Sequence, residues 1–382
     1  MKILYLIAGT YNSAGTERVV SNKINFFAQL NGYEVTVATT DQNNRSDFYV
    51  LPKNVKRVDF GINFFKYDKY PTLVKMLIFF FKNTIFKNKL SKYLFDYRQD
   101  IVVSLMPKSA GFLHKIQDGS KKVMEHHFSH SYTSLFSDAF NRSRINRWLY
   151  DIRGKMEVNN FKKFDAFVVL TNQDADLWGK DFKNLVIIPN SLTFKTEQIT
   201  DFNSKIVLSV GRLNYQKGYD MLIEIWNLIC KNNSEWQLHI YGNGEEEAKL
   251  NQQIESYGLA SNVKIYPATK NIEKAFLSAS VYVMTSRFEG FPMVLAEAMS
   301  FGLPPVSFAC ECGPKDMIEN EQSGFLIDNY DIAAFSNKLK LLINNYELRR
   351  AMGQAAQKNI KQFSEENIMA KWVNLFEKLT KK

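Results

Sequence analysis

Glu289 and Glu297 stand eight positions apart in the run Ser286-Arg287-Phe288-Glu289-Gly290-Phe291-Pro292-Met293-Val294-Leu295-Ala296-Glu297-Ala298-Met299. The apolar residues 281–284 before it read as a buried strand, Gly290 and Pro292 break the chain, and residues 293–299 have good helix composition. One carboxylate then lies in a loop and the second about two turns into a helix, roughly 12 Å apart at about 1.5 Å of rise per residue. Between them lie the unpaired N–H groups of the first turn, with Pro292 placed where its missing donor costs little. Such a helix start, near Met293 and Val294, attracts phosphate. A ligand with a diphosphate in its middle and hydroxyl-rich groups at both ends fits this layout, with one Glu for sugar hydroxyls and the other for ribose hydroxyls.

A second loop supplies cations. Residues 205–210 read as a strand, followed by Gly211-Arg212-Leu213-Asn214-Tyr215-Gln216-Lys217-Gly218. Gly211 lets the chain turn close to a ligand, and Arg212 and Lys217 can neutralise a departing diphosphate without a divalent metal. Two further turns follow strands. Gly242-Asn243-Gly244 comes after residues 237–241, and Pro267-Ala268-Thr269 after residues 263–266. In the first half, Ala8-Gly9-Thr10-Tyr11-Asn12-Ser13-Ala14-Gly15-Thr16-Glu17-Arg18 follows the first strand, and Glu125-His126-His127-Phe128-Ser129-His130 follows another.

Taken together these segments resemble the retaining family-4 glycosyltransferases, which carry a Glu-x7-Glu motif and have the GT-B fold. The segment from Ser286 to Met299, followed by Gly302, is similar to that motif, and Arg212 and Lys217 match the family's Gly-Arg-x5-Lys-Gly segment residue for residue. The loop at Gly15 resembles the family's Gly-Gly-x-Glu-Arg, with Ala14 in place of the first glycine; a plain strand-to-helix turn is the other reading. Pro189-Asn190-Ser191 is similar to a Pro-Asn-Gly segment that closes the first domain. The resemblance implies a nucleotide sugar as co-substrate, UDP being the expected nucleotide, with no cofactor and no metal. Donor contacts are then expected at Gly15, Gly211, Arg212, Lys217, Gly242, Ala268, Glu289, Gly290, Phe291, Met293, Val294 and Glu297. The catalytic set is His126, Arg212, Lys217 and Glu289, with His126 matching the family's histidine beside the donor sugar and His127 the weaker candidate.

The elements that position these residues alternate. Strands are expected at residues 2–8, 33–39, 101–105, 122–125, 166–170 and 185–188, and helices at 16–30, 71–95 and 144–161, a pattern of parallel sheet with helices on both faces. Later strands are expected at 304–308 and 323–327. The fold class is therefore α/β, and the resemblance implies two doubly wound Rossmann-like domains facing a cleft. The first is expected at 1–192, a polar linker at 193–204, the donor domain at 205–363, and a helix crossing back at 364–382. Asp174-Ala175-Asp176 opens a helix, where acidic residues suit the dipole, and is not read as a metal motif.

Composition narrows the rest. The chain has 382 residues, 45% of them hydrophobic and 23% charged, which describes two folded domains rather than a disordered chain. Cys230, Cys310 and Cys312 cannot build a disulfide framework, so a reducing cytosol is expected. Residues 1–190 hold 28 Lys and Arg against 17 Asp and Glu, and the remainder 21 against 22, so the net +10 belongs to the first half. Residues 62–98 interleave aromatics with lysines. They read either as a helix packed on the sheet with a basic outer face, or as a helix docked on an anionic membrane surface. No RNA-binding signature is present, and no nucleic-acid partner is expected. The implied acceptor is a lipid-linked oligosaccharide, reached by a peripheral protein on the inner face of the cell membrane. An epimerase of the same fold, or a non-catalytic partner of a transferase complex, are the other classes.

Overall fold

The computed structural model describes residues 1–12, 15–67, 72–130, 156 and 158–381. Its strands form two sheets in which every pairing is parallel. The first holds β1 (Lys2–Ile7), β2 (Glu34–Thr39), β3 (Lys56–Asp59), β4 (Ile101–Ser104), β5 (Lys121–Glu125), β6 (Ala166–Val169) and β7 (Leu185–Ile187). Their order is β3-β2-β1-β4-β5-β6-β7. The second holds β8 (Ile206–Val210), β9 (Gln237–Tyr241), β10 (Val263–Tyr266), β11 (Val281–Met284), β12 (Pro305–Phe308) and β13 (Phe325–Ile327), in the order β10-β9-β8-β11-β12-β13. Both orders reverse next to the first strand of the sheet, and ligands collect outside the carboxyl ends of strands at such a switch point.

Strands covered by helices on both faces read as continuous apolar runs, and β4, β6, β11 and β12 are buried along their whole length. Strand β3 carries no such signal. Its residues Lys56-Arg57-Val58-Asp59 are largely exposed at the sheet edge, and parallel pairing with β2 defines it.

The helix Gly15–Gln29 buries Val19, Val20, Ile24 and Phe27 on the first sheet. The helix Thr72–Asp96 behaves as two pieces. Phe86, Leu90 and Leu94 are fully buried, whereas Leu77, Phe80 and Phe81 are 75%, 76% and 68% exposed. Most of the helix expected at 144–161 lies outside the described residues. No described helix is long and apolar enough to cross a membrane.

The helix Glu365–Thr380 opens on a Ser364 cap, whose hydroxyl accepts from the Asn367 N–H, and returns to the first half. There the Phe376 ring lies 5.3 Å from that of Phe27, and the Lys23 ammonium sits 4.5 Å over Trp372. One apolar core consequently runs from Ile3 and Phe27 through Trp372 to Met299 and Phe301. Because Trp372 is 1% exposed at this joint, Trp372→Ala is expected to lower the unfolding free energy by about 3–5 kcal/mol. Urea titration checks this, and an unchanged midpoint would remove the joint.

Candidate active site

Glu289 and Glu297 are 6% and 4% exposed, so each carboxylate needs partners. Lys217, on the short turn Tyr215–Lys217 after β8, brings its ammonium 2.7 Å from Glu289 Oε1. The Glu289 N–H donates to the Glu311 carbonyl at 3.0 Å, which ties this loop to the one after β12. The helix Met293–Ser300 starts on Pro292, whose carbonyl accepts from Leu295 and Ala296. Among the described residues the Met293 and Val294 N–H groups have no partner, which leaves the anion-binding end of the helix open. Glu297 falls one turn into this helix. Arg18 Nη1 lies 3.0 Å from its Oε1, and the Thr193 hydroxyl donates to the same oxygen at 2.5 Å. Burial raises the Glu297 carboxyl pKa, while Arg18 and Thr193 oppose the shift.

Glycines allow the close approaches. A Cβ on Gly290 would stand 2.3 Å from the His127 carbonyl oxygen, so this is where backbone meets backbone across the two halves. A Cβ on Gly242 would stand 1.9 Å from the Gly211 oxygen, which holds the loops after β8 and β9 together. Gly15, by contrast, opens its helix with nothing within 4 Å of an added Cβ. Arg212 is exposed and has no ion pair among the described residues. The Phe291 ring turns into the core, 5.5 Å from Phe363. The Ala268 N–H is already taken by Asn243 Oδ1 at 2.5 Å.

The structure sends the two neighbouring histidines to opposite faces. Side chains alternate along an extended strand, so at the end of β5 Met124 and His126 point to one face and Glu125 and His127 to the other. The His126 ring lies 5.7 Å from Phe161, 6.1 Å from Phe167 and 5.5 Å from Trp178, in the aromatic cluster. Its Nδ1 is buried without a partner, and burial lowers its pKa to about 3, so the ring is neutral. The His127 backbone carbonyl faces Gly290, and its ring turns to Glu125, with Nε2 2.8 Å from Oε1. Burial alone would raise the Glu125 carboxyl, but Lys23 and His127 overcome it and hold it at about 2.

Contacts between distant segments were not visible in the sequence motifs. Arg18 follows β1 in the sequence with no spacing that ties it to Glu297, and Thr193 lies in the polar linker. Asp174 also does more than open a helix. Thr171 is the cap, accepting from the Asp174 N–H at 3.1 Å. The Asp174 carboxylate accepts from the His130 N–H at 2.7 Å and from Trp178 Nε1 at 3.2 Å. Burial pushes its pKa up to about 6. Beside it the Cys312 N–H donates to Gln173 Oε1 at 3.1 Å, a second junction between the halves. No group of three His, Cys, Asp or Glu among the described residues is placed to hold a metal.

A family model described as glycosyl transferases group 1 matches residues 193–359. An uncharacterized glycosyltransferase of Haemophilus influenzae is 30% identical over 379 residues, covering 97% of this chain and 98% of its own length. The chain belongs to the group 1 glycosyltransferases. The amylovoran biosynthesis glycosyltransferase AmsD of Erwinia amylovora is also 30% identical, over 97% of this glycosyltransferase and 98% of AmsD. A Campylobacter jejuni α-1,4-N-acetyl-D-galactosaminyltransferase, whose name gives a diphosphate-undecaprenol-linked saccharide as acceptor, is 26% identical over 98% of each chain. The solved sucrose-phosphate synthase of Thermosynechococcus elongatus superposes with a TM-score of 0.82 at 18% identity, over 99% of this chain and 98% of that one, and shares the GT-B fold.

The burial of His126 can be measured. A histidine held neutral by burial contributes stability that is present above its unfolded pKa of about 6.5 and lost as pH falls towards 3. Relative to His126→Phe, the wild type is expected to lose up to about 1.4 kcal/mol of unfolding free energy per pH unit across that window. At neutral pH the variant is expected to keep activity within about threefold, because Phe suits an aromatic pocket. A much larger loss of activity would return His126 to the site.

Proposed function

We propose that this glycosyltransferase moves a hexose or N-acetylhexosamine, with retention, from a UDP-sugar to a lipid-linked oligosaccharide without a metal ion. The observation that carries the reading is the Lys217–Glu289 pair, set beside exposed Arg212 and the unpartnered N–H groups of Met293 and Val294. Donors already in place need no reorganisation when charge appears on a leaving diphosphate, and that makes them effective. Glu289 would hold sugar hydroxyls. Glu297 would take the ribose, exchanging its bond with Arg18 for hydroxyl donors. The acceptor oxygen forms its bond to the anomeric carbon on the face from which the phosphate oxygen leaves, and the acceptor's proton passes to that phosphate oxygen.

The acceptor side belongs to the first half, which carries the excess positive charge. The helix Thr72–Asp96 begins near the carboxyl ends of the first sheet. There the Phe79 ring lies 5.7 Å from Phe64, after β3, and the Lys108 ammonium, after β4, lies 4.7 Å over the same Phe64. The exposed Leu77, Phe80 and Phe81 are therefore at the cleft end of the domain. Beside them runs a groove of about 610 Å³ lined by Ile62, Ile78, Lys82 and Lys89. Apolar rings with lysines alongside suit the interface of an anionic bilayer. This surface fits a peripheral position on the cytoplasmic face of the membrane, and the acceptor named for the Campylobacter jejuni relative supports a lipid-linked substrate.

Release of UDP from a panel of UDP-sugars, with and without EDTA, tests the donor reading. Activity is expected to survive EDTA, and Lys217→Ala is expected to lower turnover by about 10²-fold or more. A mutant within threefold of wild type would defeat the role given to Lys217. Phe80→Ser with Phe81→Ser is expected to weaken binding to vesicles containing phosphatidylserine by about tenfold or more. Unchanged binding would move the membrane contact elsewhere.

A further inference from the structure

Lys23 and Glu125 are 1% and 2% exposed and pair inside the first half. Lys23 comes from the helix Gly15–Gln29, on a face it shares with the buried Val20, Ile24 and Phe27. Glu125 is the last residue of β5. The Trp372 ring closes the site from the terminal helix. A buried ion pair is weak ground for stability, since desolvation costs several kcal/mol per ion and apolar residues of the same volume often serve as well. Its bonding pattern points elsewhere. Glu125 Oε1 accepts from Lys23 Nζ and also meets His127 Nε2, while Oε2 is buried without a partner. The carboxylate is thus directed at the His127 ring. His127 is in turn the residue whose carbonyl abuts Gly290, next to Glu289. Its other ring nitrogen, Nδ1, has no hydrogen-bond partner among the described residues.

We propose that Glu125 is a positioning residue for His127, with Lys23 keeping Glu125 anionic. The carboxylate takes the Nε2–H, which fixes the neutral tautomer whose Nδ1 is a lone-pair acceptor. That nitrogen then accepts a hydrogen bond from a hydroxyl of the sugars bound between the halves. Without the carboxylate the proton distributes between both nitrogens, and the ring loses its fixed orientation. The inference rests on the transferase reading above and assigns to His127 the contact that the sequence motif suggested for His126.

The test combines a spectrum with a mutant cycle on the full chain. In ¹⁵N NMR of histidine-labelled protein, wild-type His127 is expected to show a protonated Nε2 and an unprotonated Nδ1, and Glu125→Gln is expected to show a mixture. In UDP-sugar turnover, Glu125→Gln is expected to lower kcat about tenfold with the donor KM within threefold, because the nucleotide sits on the other half. His127→Ala is expected to lose at least as much. The double variant is expected to match His127→Ala within twofold, since Glu125 acts only through that ring. Should Glu125→Gln not fold, Lys23→Met with Glu125→Gln removes both buried charges and enters the same cycle. Multiplicative losses, or a wild-type His127 protonated on Nδ1, would overturn the inference. A wild type that releases no UDP from any UDP-sugar would sink the transferase reading instead, and the spectrum would still decide the tautomer.

Discussion

A carboxylate removed from water must be met by a cation or by several hydrogen-bond donors. Three such groups, Glu125, Glu289 and Glu297, surround the cleft of this glycosyltransferase at no more than 6% exposure. None finds its cation in its own segment. Lys217 comes from the loop after β8, Arg18 and Lys23 from the first helix, and Thr193 from the connection between the sheets. The Lys23–Glu125 and Lys217–Glu289 pairs each close within one half, whereas Arg18 reaches Glu297 across the cleft, so satisfying Glu297 requires the carboxyl ends of both sheets to face each other. The glycine approach at Gly290 allows the backbones of the two halves to come close enough.

What could be read in the sequence follows from the same distinction between local and distant partners. The segment around Glu289, Gly290 and Pro292 shows itself because strand end, break and helix start are contiguous, and the helix does begin at Met293. Arg212 and Lys217 share a single loop. The Arg18–Glu297 contact, by comparison, joins residues 279 positions apart, and no spacing rule reaches that far. Lys23 did leave a trace, a lone cation on a helix face otherwise made of Val20, Ile24 and Phe27. Its partner could be named only once β5 was placed beside that helix.

The histidine pair shows how a sequence motif can leave the choice between two neighbours open. His126 and His127 are neighbours of the same type, and the period-two alternation of the strand sends one into Phe161 and Trp178 and the other to Glu125. Strand β3 eluded the pattern for a different reason. Edge pairing with β2 supplies its order, and side-chain hydrophobicity contributes little. In the helix Thr72–Asp96 both ends are rich in Phe and Lys, so composition could not tell the packed turns from the exposed ones.

The return of the Glu365–Thr380 helix also has a bearing on how the chain is made. The platform beneath Lys23 and the ring that meets Phe27 are provided by Trp372 and Phe376. During synthesis, then, the first sheet emerges long before the side chains that cover this flank. Its apolar surface must wait, exposed, until the second half has been translated. Chaperone dependence and aggregation of nascent chains should therefore be set by the interval between residue 27 and residue 372, rather than by the folding of either sheet alone.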